Sequence, residues 1–416
     1  MARTVALVGA LHPAARELAL ALEDDPEVER VLGLSRHEPP LLGPKFEFVQ
    51  AGPGDPAFAE ALAGVDTLVL FPLIDAADRN EEGRRARVLE GTRRSLEAAA
   101  GAATVVLWSS GVVYGAHPDN PVPIPETQPP RPNPEFPAAG ILAESEQVAL
   151  AAGESRDLTE SEQVALAAGE SRDLTESERV ALEATPGDGP PEGSGEPQGG
   201  AQVGRSVVVL RGAGVWAPAW GTFLARSLMA PAMVGVRGQD PPLQALAPAD
   251  AVSALVLATS GRLQGVYNVA PDDWVGAKEA ARAAGRRRLE VPQRVAQSTA
   301  ERLWQAGMSA ATAGELAFQT HPWVLDNARL RSAGWAPTRS SAEAFAEAGG
   351  QKPEGVLVGG VQIRRSDVFR GAGDDLGDLD PGRLDLVADL AERDHRGRLL
   401  GPVHQGHVLL VDLGRV

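Results

Sequence analysis

The sequence predicts an α/β protein: a doubly wound, mostly parallel sheet with a smaller carboxy-terminal lobe, an inserted repeat segment and an extra tail. Three observations point there. Short apolar runs alternate with helical stretches through residues 1–143, the pattern of strand–helix–strand units that make parallel sheets. The same pattern resumes at Arg205 after an interruption at 144–204. The 416 residues also exceed a typical domain of about 100–200.

In chain order, Val5–Val8, Val31–Leu34, Phe46–Val49, Thr67–Phe71, Val105–Trp108 and Val207–Leu210 read as buried strands. Helices fit between them at Ala14–Leu22, Pro56–Ala63 and Glu82–Ala100; in the last, Val88, Leu89, Thr92 and Leu96 recur at helical spacing. Residues 144–204 contain a repeat: ESEQVALAAGESRDLT fills 144–159 and again 160–175, followed by ESERVAL at 176–182. A 16-residue period rotates equivalent residues by about 160° on a helix, so a single long apolar stripe is excluded. Thr159 with Glu162 and Thr175 with Glu178 have capping-box spacing, and Gly153 and Gly169 sit where glycine caps belong; short helices of two to three turns are expected. Thr185 to Gly200 is rich in Pro, Gly, Glu and Asp, a disorder-prone composition. Beyond Arg205, Val252–Leu257 and Ala277–Ala284 read as helices and Val266–Ala270 as a strand. The domains expected are 1–143 and 205–262 (sheet), 144–204 (insert), 263–348 (small lobe) and 349–416 (tail). In the tail, Gly355–Ile363 and His407–Val411 look like strands, Asp374–Asp380 an acidic loop and Leu384–Leu390 an amphipathic stretch.

Composition narrows the function. With no cysteine, disulfides, thiolate catalysis and Cys-ligated metals are excluded, and the seven His form no metal-binding pair, so no metal is expected. The net charge of −17 repels phosphate backbones and anionic lipid, although −11 of it lies in 144–204. Arg286, Arg287 and Arg288 read as a solvated basic face. No run of apolar residues is long enough to span a membrane, and the apolar start Thr4–Gly9 is too short for a signal sequence. A cytoplasmic protein with neither nucleic-acid nor membrane partners is expected.

Several patches occur in a telling order: Val8-Gly9-Ala10 after the first strand, Gly91-Thr92 in a helix, Ser109-Ser110-Gly111-Val112-Val113-Tyr114-Gly115 after a buried strand, Arg131-Pro132-Asn133-Pro134, Val209-Leu210-Arg211, Asp250 before a helix, and Val266-Tyr267-Asn268-Val269-Ala270. Together they resemble the extended short-chain dehydrogenase/reductase family of NAD-dependent epimerases and dehydratases, over about 3–143 and 205–348. The resemblance implies a Rossmann-like lobe for NAD or NADP and a small lobe for a substrate such as a nucleotide sugar. It also implies a homodimer through helices near 82–100 and 139–152, the second of which the repeats interrupt.

The same resemblance implies a tyrosine that moves a proton, a lysine four residues on that lowers its pKa, and a Ser or Thr on the reacting oxygen. Ser110 keeps the last role. Ala138 and Leu142 stand at the tyrosine and lysine positions, and neither moves a proton; Tyr114 and Tyr267, the only tyrosines, belong to structural motifs. The implied cofactor positions are Gly9, Ala10, His12, Pro13, Ser35, Arg36 and Pro72. There His12 replaces a glycine that lets the backbone approach pyrophosphate, Pro13 removes an N–H at the helix start, and Ser35 replaces the ribose-binding acid. Arg36 beside it suits a 2′-phosphate. Ala15 replaces a second glycine, Gly52 an Asp near the adenine, and Val88 a central Asn. Arg211, Arg237 and Gln244 fall near substrate-contacting positions.

The expectation is therefore a degenerate epimerase/dehydratase-like pseudoenzyme that acts by binding a nucleotide or a partner. One alternative is an active NADP-dependent oxidoreductase or nucleotide-sugar epimerase using Asp119, His117 or a water ordered by Ser110. Another is a platform on which the repeats serve as a protein-interaction arm.

Overall fold

The computed structural model describes residues 3–39, 43–72, 74, 80–154, 205–220, 222, 224–225, 228, 232–305, 313–351, 355–358 and 361–364. Seven strands form one wholly parallel sheet: β1 (Arg3–Val8), β2 (Val28–Ser35), β3 (Phe46–Gln50), β4 (Thr67–Leu70), β5 (Thr104–Ser110), β6 (Ser206–Gly212) and β9 (Gly265–Val269), in the order β3-β2-β1-β4-β5-β6-β9. The predicted strands match these within a few residues. β9 hydrogen-bonds to β6, so it belongs to the sheet although it lies beyond residue 262, where the sequence reading ended that domain.

Alternating side chains of each strand feed two cores. Val5, Leu7, Val69, Val106 and Val208 pack toward α1 (Pro13–Glu23) and α5 (Pro248–Thr259). Ala6, Leu68, Val105, Leu107 and Val207 face α2 (Pro56–Leu62), α3 (Glu81–Ala98) and α4 (Pro137–Glu154). A sheet buried on both faces explains the near-continuous apolar strands.

The repeat region departs from the expectation of separate short helices. Residues 144–154 of the first copy are the carboxy-terminal part of the 18-residue α4, with Ser145, Glu146 and Ala149 buried. Gly153 is helical here rather than a left-handed cap. Its role is close packing: a Cβ there would lie 2.9 Å from a Val207 methyl. The rest of the repeat array, Asp374–Asp380, Leu384–Leu390 and His407–Val411 lie outside the described residues.

The small lobe contains a parallel pair, β7 (Ala232–Val236) with β11 (Arg287–Val291), and an antiparallel pair, β8 (Pro242–Leu243) with β10 (Val275–Gly276). Four helices accompany them: α6 (Ala277–Ala283), α7 (Gln293–Gln305), α8 (Ala328–Ser332) and α9 (Ser341–Gly350). Buried Asp250 ties this lobe to α5 by accepting from the Thr338 backbone and hydroxyl at 2.9 and 2.7 Å. Where one strand was expected over Gly355–Ile363 there are two, β12 (Gly355–Val358) and β13 (Val361–Arg364), paired antiparallel.

The arginine trio is less solvated than expected. Arg286 donates to the Leu228 carbonyl, and Arg288 to Asp240 and the Gln239 carbonyl, leaving Arg287 exposed. Among the described residues no helix is long and apolar enough to cross a membrane, and no group of three or more His, Cys, Asp or Glu gathers to hold a metal.

Candidate functional site

In an open parallel sheet, ligands bind beyond the carboxyl ends of the strands where the strand order reverses. Here that point lies between β1 and β4. The turn after β1 begins with Gly9 at φ 87°, and a Cβ there would sit 2.5 Å from the Phe71 carbonyl oxygen. Glycine is thus required for backbone packing alone.

The helix start beyond it offers no free donor. Pro13 has no N–H. The Ala14 N–H donates to Nδ1 of His12 at 3.1 Å, and the Ala15 and Arg16 N–H groups both donate to the His12 carbonyl. Gly9 and Ala10 donate to the Leu34 carbonyl at 3.0 and 3.2 Å. A helix amino terminus binds anions through unsatisfied N–H groups, and here those groups are spent. His12 caps α1, stacks on Phe71 with ring centroids 5.3 Å apart and meets Trp220 edge-on at 6.0 Å. Trp220 in turn packs against Trp108 and donates to Glu17 at 2.9 Å. Burial pushes the His12 imidazole down to about 4, in keeping with the neutral Nδ1 acceptor that its capping bond requires.

The ribose end is similarly occupied. The Ser35 hydroxyl donates to the His37 carbonyl. Arg36 is exposed and lies across Gly52, where a Cβ would fall 3.2 Å from its Nε. Pro72, half-buried, follows the stacked Phe71. These residues do not fit a bound dinucleotide at the pyrophosphate.

The positions at which the resemblance implies catalysis adjoin a buried polar cluster. Ala138 and Leu142 are partly buried on α4, packed against the core. Ser110 caps the helical turn Gly111–Tyr114, its Oγ accepting from the Val112 N–H at 3.4 Å. Glu146, one turn beyond Leu142, forms a bidentate pair with Arg211 of β6: Nη2 to Oε2 at 2.6 Å and Nε to Oε1 at 3.2 Å. Ser109 donates to the same carboxylate at 2.5 Å. Arg211 also donates to the Tyr114 hydroxyl at 2.8 Å, and that hydroxyl donates to Oδ1 of Asn268 at 2.9 Å. Burial pushes the Tyr114 phenol up, against the opposing Arg211 charge.

Of the three expected substrate residues, two are buried and hydrogen-bonded within the protein. Arg211 is 4% exposed and fully engaged in that cluster. Gln244 is buried: its Nε2 donates to the Pro271 and Leu325 carbonyls, and its Oε1 accepts from the Leu325 N–H. Arg237 alone is exposed, after β7. The substitute proton donors are also committed. Arg131 grips Asp119 through both oxygens and holds its carboxyl down at about 2, an ion near neutral pH, while His117 Nε2 meets the Arg131 carbonyl at 2.8 Å. Glu146 is the residue sequence reasoning missed. Its signal was Arg211 in an otherwise apolar strand, which demands a buried anion.

Several solved structures share this architecture. MoeE5, solved with UDP-glucuronic acid and NAD, is 18% identical; the alignment covers 82% of this chain and 96% of that one, with a TM-score of 0.56. DesIV, a dTDP-glucose 4,6-dehydratase from Streptomyces venezuelae solved with NAD, is 17% identical over 83% and 95%, TM-score 0.56. A UDP-glucose 4-epimerase from Thermotoga maritima, solved with UDP-glucose, is 13% identical over 83% and 97%, TM-score 0.55. This chain has the fold of those enzymes. The resemblance read from Gly9, Gly91 and Ser109–Gly115 therefore reappears in three dimensions. No family model and no curated protein matches the sequence.

Proposed function

We propose that this chain is a non-catalytic descendant of the NAD-dependent nucleotide-sugar epimerases and dehydratases, acting in the cytoplasm by binding a nucleotide or a protein partner. The observation that carries this reading is the pair Ala138 and Leu142 on α4, beside a cluster in which Tyr114 and Arg211 are already consumed by Asn268 and Glu146. General acid–base catalysis contributes about 10²–10⁴-fold, and neither Ala138 nor Leu142 can supply it.

The NAD of the similar structures bears on this chain as ancestry. A dinucleotide, when bound in such a fold, supplies hydride transfer; the spent donors around His12 leave its pyrophosphate without a cradle. No step is therefore derived through it. A nucleotide ligand would have to use the exposed rim, where Arg36 and Arg237 remain available. Self-association through α3 and α4 and an interaction role for the repeats belong to the same binding reading.

Purified protein incubated with NAD or NADP and either UDP-glucose or dTDP-glucose should form no reduced cofactor, epimer or dehydrated sugar. Turnover near the common enzymatic value of about 10 per second would end the proposal.

A further inference from the structure

The binding reading gives the repeats an interaction role but leaves open what each copy contributes to the fold. Its first copy fills a defined slot on β5 and β6: Ser145, Glu146 and Ala149 are buried at 0–1% exposure, Glu146 holds Arg211 and Ser109, and Gly153 lies against Val207. Residues 160–170 repeat 144–154 without a change, so the slot chemistry alone does not distinguish them.

The segment upstream does. Ala139, Ile141 and Ala143 of α4 are buried in the core. If the second copy took the slot in the same helical register, Ser155, Asp157 and Thr159 would replace them. Asp157 at the Ile141 position would bury a charge without a partner, which is strongly unfavourable. The third copy fits worse, since Thr185 would stand where a Cβ meets a Val207 methyl at 2.9 Å.

The exit and return points also coincide. Gly153 at the end of α4 is within 3.8 Å of the Arg205 carbonyl oxygen, measured from its ideal Cβ position, and Val207 follows in β6. The described residues on either side of 155–204 therefore lie next to each other.

We propose that the fold reads only the first copy, with Glu146 as its ionic key, and that the second and third copies are surplus to folding. The register is pinned by Ala139, Ile141 and Ala143 rather than by the repeat itself. This inference does not depend on whether a cofactor binds.

The test compares three variants of the protein, one deletion and two point substitutions, by thermal unfolding. Because the two complete copies are identical, removing 160–175 and removing 144–159 give the same polypeptide, which retains an intact key. That deletion and Glu162→Gln should each leave the melting temperature within about 2 °C of the parent, the change expected where no buried partner is lost. Glu146→Gln, chemically the same substitution, should lower it by about 6 °C or more, or abolish soluble expression, through the unpaired Arg211. Equal losses for Glu146→Gln and Glu162→Gln, no loss for Glu146→Gln, or a large loss on deletion of 160–175 would each overturn the proposal.

Discussion

Replacing Arg211 with Met separates a structural role from a substrate-binding one. The Arg211 and Glu146 side chains are 5% and 2% exposed, and the pair shares contacts of 2.6 and 3.0 Å. Arg211→Met leaves the Glu146 carboxylate with Ser109 as its remaining partner in this cluster and the Tyr114 hydroxyl with Asn268. Breaking a buried pair by removing one partner costs about 3–5 kcal/mol, which for a fold of this size lowers the melting temperature by roughly 6–20 °C. Replacing both partners with apolar residues of similar volume is commonly neutral or stabilising. Glu146→Leu combined with Arg211→Met should therefore recover most of the loss, a coupling of at least about 2 kcal/mol. Urea unfolding followed by tryptophan fluorescence measures all three variants. A loss below about 1 kcal/mol for Arg211→Met, or a double variant as unstable as the sum of its parts, would refute the structural assignment.

Two further predictions concern protons. His12 has its folded pKa lowered from 6.5 to about 4 by burial, so the unfolded chain binds more protons between those values. Stability is fully present above pH 6.5 and falls as pH drops toward 4, by about 2–3 kcal/mol. His12→Asn keeps a capping acceptor for the Ala14 N–H and should flatten that segment of the stability–pH curve; an unchanged slope would contradict the assignment. Asp119, gripped by Arg131, is lowered from 3.8 to about 2. Its stabilising contribution is present above the unfolded pKa and lost as pH falls through the folded one. Carboxyl NMR should place its midpoint near 2 in the parent and near the ordinary value in Arg131→Gln; a parent midpoint near 4 would restore it as a candidate acid.

The parallel sheet was legible because both faces are buried, which writes strands such as Val5–Val8 and Val105–Trp108 as continuous apolar runs. The pair β7 and β11 was not. Arg287–Val291 is largely solvated and alternates charge with apolar residues, and its pairing with Ala232–Val236 spans a long sequence separation. That Ala138 and Leu142 stand where the resemblance implies a tyrosine and a lysine was legible from position alone. The buried cluster beside them was not, because Glu146 belongs to a repeat that composition marks as solvated acidic sequence. Only the helical continuity of Pro137–Glu154 brings it under β6. His12 was recognisable as an obstacle to phosphate; its capping bond and its stack with Phe71 and Trp220 depend on residues that are neighbours only in space.

The most direct test of the account is a calorimetric titration of NADH and NADPH into the parent protein and into His12→Gly combined with Pro13→Ala. That pair of changes restores the close backbone approach and one amide donor at the start of α1. The account predicts no binding by the parent up to millimolar cofactor and measurable binding by the double variant. Parent protein that binds either dinucleotide at micromolar concentration would contradict it.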